Sequence, residues 1–81
     1  MILIEVKVPV ISQRYDFSVD ENRPVREIIR EMRQIISRKL REEVLPEAGF
    51  ELFSPLQRRA LPPDTTLSEC GIHDGAELIL V

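Results

Sequence analysis

Glu77-Leu78-Ile79-Leu80-Val81 is an alternating strand with no partner beside it in the sequence. Side chains along a strand point to opposite sides in turn, so Leu78 and Leu80 share one face and Ile79 and Val81 the other. The residues just before it, Asp74-Gly75, form a tight turn and offer no neighbouring strand. Its backbone groups must therefore find partners far away along the chain. The match lies at the other end. Ile2, Ile4, Val6 and Val8 alternate with Leu3, Glu5 and Lys7, which reads as a half-buried strand that Pro9 ends. Tyr15, Phe17 and Val19 alternate with Asp16 and Ser18 beyond the polar Ser12-Gln13-Arg14, so residues 2–19 predict an antiparallel hairpin.

Asp20-Glu21-Asn22 and Pro24 then mark a helix start. Asp or Asn accepts orphan backbone N–H bonds there, Pro is tolerated in the first turn, and the acidic pair suits the positive end of the helix dipole. Val25, Ile28, Ile29, Met32, Ile35, Ile36 and Leu40 recur at three- and four-residue steps, the signature of one apolar stripe. The pattern predicts a helix to about Val44, roughly 30 Å long, closed by Pro46 and Gly49. Phe50–Phe53 reads as a short third strand broken at Ser54-Pro55, and Arg58-Arg59-Ala60 as a very short edge strand. Thr65–Cys70 fits one helical turn capped by a threonine hydroxyl and ended by Gly71. A hairpin, a helix, two short strands and a terminal strand that must pair with the first define a β-grasp. The expected fold is an α+β roll with a mixed sheet of four or five strands and one long helix packed across it.

With 81 residues the chain is expected to be one domain, 1–81, with a modest core and no room for a deep substrate cleft. Its 43% apolar and 31% charged residues place it among folded chains rather than disordered ones. The net charge of −3 argues against a nucleic-acid partner, which would call for a basic surplus to displace counterions from phosphates. The N-terminal apolar run is interrupted by Glu5 and Lys7 and has no basic leader, so neither export nor membrane insertion is expected.

Cys70 is alone. It can form no internal disulfide and no zinc site, in keeping with a reducing cytoplasm. His73 follows three residues later, but a third orienting group and an oxyanion site are not evident. Cys70 is therefore expected to pack beneath its turn as a small apolar residue, with His73 at the surface. No phosphate loop or metal-ligand cluster is present, so the expectation is a protein that is not an enzyme and carries no cofactor or metal.

Leu61 through Leu80, with Thr66-Leu67-Ser68 before Ile72 and an alternating last strand, resembles the closing segment of ubiquitin. Tyr15, Phe17 and Val19 fall where ubiquitin's second strand feeds its core. Within that superfamily, Leu67-Ser68-Glu69-Cys70-Gly71-Ile72-His73-Asp74-Gly75, the Pro24-Val25 helix start and the lack of a tail look more similar to the bacterial YukD/EsaB group. The resemblance implies a ubiquitin-like accessory or regulator of type VII (WXG100/ESX) secretion. Such a protein would be cytoplasmic and recruited to the inner face of the membrane by a secretion-system membrane component or ATPase. An alternative is the cytosolic domain of an EccD-like membrane subunit. A covalent modifier or sulfur carrier is disfavoured, because no Gly follows Gly75 and Val81 lies within a strand.

The expected activity is non-covalent protein binding. Leu3, Phe53, Ile79 and Val81 alternate away from the helix, and Val10 and Ile11 in the hairpin turn can join them; an apolar cluster on an open sheet usually marks an interaction surface. Self-association, or a plain scatter of surface residues, is the competing reading of that face. Arg26, Arg30 and Arg33, with Arg41 further on, share one side of the helix among Glu27, Glu31, Glu42 and Glu43. They form either a solvated charged face or a docking stripe for an acidic partner or an anionic leaflet.

Overall fold

The computed structural model describes residues 1–40 and 49–81. β1 (Ile2–Val8) leads through a 3-10 turn at Pro9–Ile11 into β2 (Gln13–Val19). The turn closes when Ser12, in the left-handed region at φ 53°, donates its N–H to the Pro9 carbonyl at 3.0 Å. Helix α1 (Val25–Leu40) follows, then β3 (Leu52–Ser54), β4 (Arg59–Ala60) and β5 (Glu77–Leu80). The five strands form one sheet in the order β2-β1-β5-β3-β4. β5 lies parallel to β1, with Glu5 opposite Glu77 and Lys7 opposite Ile79, so the two terminal strands do form the centre of the sheet. All other pairings are antiparallel.

One core joins sheet and helix. Ile4, Val6 and Val8 from β1, Phe17 and Val19 from β2, and Leu78 and Leu80 from β5 face Val25, Ile28, Met32 and Ile36 of α1. Period two in the strands and period 3.6 in the helix thus meet on a single apolar layer. Lys39, in the last described turn of α1, lies 5.4 Å from the centroid of the Tyr15 ring, a cation–π contact between the helix and β2.

The helix start differs from the expectation. Asp20 accepts from the Asn22 N–H and so caps its own turn. The first helical donors go instead to carbonyls of a distant segment: Val25 N–H to Thr65 at 2.8 Å and Arg26 N–H to Pro63 at 3.1 Å. Tertiary contact supplies what a local cap would otherwise provide.

The segment that receives them is itself capped. Glu69 N–H donates to Thr66 Oγ1 and Thr66 N–H to Glu69 Oε1, each at 3.0 Å, a reciprocal capping box. Cys70 N–H closes one turn on the Thr66 carbonyl, and Gly71 ends it at φ 75°. Thr66→Ala is expected to cost about 1 kcal/mol, read as a lower urea midpoint at unchanged slope. No change at all would mean that the box contributes nothing.

β3 begins at Leu52 rather than Phe50 and runs on through Ser54. Ser54 stays in the ladder because it pairs with Arg59 in β4, and its buried hydroxyl accepts from the Gln57 N–H at 3.3 Å. The expected final turn of the helix, to Val44, lies outside the described residues.

Candidate functional site

The face of the sheet turned away from α1 carries the odd-numbered residues of β1 and their cross-strand partners. Residues opposite each other share a face, so the pairings can be followed across the sheet. One row runs Arg14, Lys7, Ile79, Phe53, Ala60. The row two residues earlier runs Asp16, Glu5, Glu77. The basic and acidic rows are joined by two diagonal ion pairs, Lys7–Glu77 at 3.1 Å and Arg14–Glu5 at 2.8 Å. The β2-β1 half of this face is thus a charged lattice, and the apolar part is confined to β5 and β3.

Phe53 and Ile79 form that apolar part, directly opposite each other. They are half-buried rather than fully exposed, flanked in the row by Lys7 and Ala60. An aliphatic lysine stem covers apolar area while its ammonium stays in water. Val81 extends the strip at 52% exposure; its N–H and C=O both pair with Glu51, at 2.9 and 2.6 Å. Position 81 is therefore part of the sheet. Val10, 69% exposed, sits in the turn after β1, and because β1 and β5 run parallel it lies at the same end of the sheet as Val81. Ile11 instead packs against the core.

Leu3 does not join this strip. It is exposed, but it lies four residues before Lys7, roughly 13 Å away along the strand, with Glu5 and Glu77 in between. Its backbone straps the 74–75 turn to β1: its N–H donates to Asp74 Oδ1 and its C=O accepts from Gly75, each at 2.7 Å. Alternation gave the correct face, but it carries no information about offset along it.

The helix arginines do converge. Arg26, Arg30 and Arg33 border one groove with Ile29, Phe50 and Pro63. Arg26 is paired with Asp64. Arg23, one turn earlier, is committed to Glu31 at 2.5 Å and Glu27 at 3.7 Å, and the hydrogen bond it donates to Glu31 holds its guanidinium pKa above the ordinary value. Among the described residues Arg30 and Arg33 make no ion pair. Arg41 lies outside the described residues.

Leu56 is not among the expected site residues. At 93% it is the most exposed large apolar side chain described, in the β3–β4 turn beside Pro55. Its position just after the Ser54-Pro55 break is the signal the sequence offers.

Cys70 is buried, with its Sγ 3.1 Å from Thr65 Oγ1. The single hydroxyl proton of Thr65 goes to the Pro62 carbonyl at 2.7 Å, so in the Cys70–Thr65 contact the thiol is the donor. His73 is exposed, and no hydrogen bond joins it to Cys70. Among the described residues no group of His, Cys, Asp or Glu could hold a metal ion, and no helix is long and apolar enough to cross a membrane.

A five-stranded mixed sheet with parallel terminal strands at its centre and one helix across it defines a ubiquitin-like domain. Solved structures share it. The EccD5 ubiquitin-like domain from Mycobacterium xenopi aligns with a TM-score of 0.80 at 20% identity, covering 99% of this chain and 91% of that one. The ubiquitin-like domain of the Mycobacterium tuberculosis type VII secretion protein EccD1 gives 0.72 at 19% identity, covering 100% and 99%. A chain of the MycP5-free ESX-5 inner membrane complex gives 0.77 at 20% identity; 99% of this chain aligns there with 20% of a much longer one. Residues 3–80 match the family model of the WXG100 protein secretion system protein YukD, and the chain belongs to that family. No curated protein sequence matches it.

Proposed function

We propose that this chain is a non-covalent protein-binding module of a type VII secretion system, and that the strip formed by Phe53, Ile79, Val81 and Val10 is its recognition surface. The observation that carries the reading is the register of β5. It sends Ile79 and Val81 away from α1 and sets Ile79 against Phe53. Val10 and Val81, exposed at 69% and 52%, give little to the core, while at an interface such residues act as anchors. Lys7 and Arg14 with their ion-pair partners Glu77 and Glu5 supply a polar, charge-balanced rim. The partner is a secretion-system membrane component or its ATPase, reached from the cytoplasmic side. Membership of the YukD family supports this, as does the likeness to ubiquitin-like domains of the EccD proteins.

Val81 and Val10 are the cleanest probes. Phe53 is half-buried, so its truncation would mix stability with binding. Val81→Asp and Val10→Asp are expected to shift the melting temperature by less than about 4 °C, as surface substitutions do. Capture of the secretion membrane complex by the tagged chain should fall at least about tenfold, or about 1.4 kcal/mol. Full capture by both variants would rule out this face.

A further inference from the structure

On the helix side of the molecule, the depression bordered by Arg26, Arg30 and Arg33 continues into a second one. The two share Ile29, Gly49, Phe50 and Pro63, and the second runs on past Ala60 to Leu61 and Pro62. The result is one elongated groove with two chemically different halves. Its helix end is cationic; its far end is apolar and prolyl, with Glu51 on its border. Ile29 and Phe50 are half-buried against the core and form an apolar floor between the halves.

The charges around the groove are unequal. Asp64 engages Arg26, whereas Arg30 and Arg33 make no ion pair among the described residues. Guanidinium groups bind carboxylates through paired N–H donors and are weakly hydrated, so they favour a planar anion over water. A recessed apolar floor beside two such groups fits a side chain with acidic neighbours. It fits a lipid surface poorly. A flat anionic leaflet would leave the recess unfilled, whereas a single side chain can enter it.

We propose that this groove binds an acidic peptide segment of a protein partner, with an apolar side chain seated over Phe50 and flanking carboxylates held by Arg30 and Arg33. The cationic half lies on the helix side, whereas the far half reaches Ala60, the cross-strand neighbour of Phe53.

The test is an amide-resolved NMR titration of the isotope-labelled chain. The probe is a blocked octapeptide of Asp and Glu around a central Leu-Phe, with an Asn/Gln analogue as the neutral control. The acidic peptide should move the amides of Ile29, Arg30, Arg33, Phe50 and Leu61. The neutral analogue should bind at least about tenfold more weakly, and so should the acidic peptide to Arg30→Glu and to Arg33→Glu. The acidic peptide should also weaken with added salt. Neither substitution touches the core, and thermal melts of each would verify that the fold is intact. Shifts confined to Phe53 and Ile79, equal binding of the neutral analogue, or no saturable shift would overturn the proposal. Co-sedimentation with vesicles containing about a quarter phosphatidylserine, lost in Arg30→Glu while the peptide has no effect, would assign the groove to membrane instead.

Discussion

Leu67→Ala is expected to cost about 2–5 kcal/mol of folding free energy, measured by chemical denaturation. Leu67 is fully buried, and the turn it anchors is tied in several directions at once. Its carbonyl accepts from Ile72 at 2.9 Å, its neighbour Ser68 donates to Glu21, and the same segment supplies the carbonyls that receive the first donors of α1. Little can relax into the space left behind, so the cost should lie near the upper part of that range. The size of the chain gives this weight: a domain this small has roughly 4–12 kcal/mol of stability in total. A loss below about 1 kcal/mol would mean that the 65–72 turn is loosely packed and that the helix start does not depend on it.

Leu78→Asp should be more severe and abolish the cooperative fold at neutral pH. Leu78 lies in the central strand with no exposure, opposite Val6. A carboxylate there has no partner, and an unpaired buried charge costs several kcal/mol. The pH dependence follows from its sign. Burial raises the folded-state pKa of the new carboxyl above its unfolded value, so the variant is least destabilised in acid. Stability is then lost as pH rises through the folded pKa. Circular dichroism at neutral pH should show an unfolded chain, with structure regained toward about pH 4. Ile79→Ser, one residue on but on the opposite face, should stay folded. If both variants unfold alike, the two faces of β5 are not distinguished as described.

Much of this arrangement is legible in the residues. The even-numbered series in β1 fixes which side meets the helix. The three- and four-residue steps from Val25 to Leu40 fix the stripe that meets it, and the stranded last segment forces the central parallel pair. Other features are not local properties. Period two specifies a face but not an offset, so the distance between Leu3 and Ile79 depends on a register set by the whole sheet. Ser54 and Pro55 carry a breaking signal, yet Ser54 remains in β3 because Arg59 pairs with it from across a turn. The helix donors that Asp20 or Asn22 is expected to cap find carbonyls about forty residues later in the chain, which no local propensity encodes. Helical periodicity puts Arg26, Arg30 and Arg33 on one side of α1, where they border one groove. Alternation places Phe53 on the open face but does not give its half-burial, which depends on the cross-strand neighbours Ile79 and Ala60.

The parallel pairing of β1 with β5 also bears on how the protein is made. Emerging from the ribosome, the hairpin and helix can form early, but β1 then presents an unsatisfied edge where β5 belongs, and β3 has no strand to bridge it to the rest. The sheet cannot be completed until residues 77–80 have been translated and released from the exit tunnel. A nascent chain halted before Glu77 is thus not a smaller version of the domain but an open half-sheet with its hydrophobic layer uncovered, a substrate for chaperones or proteases.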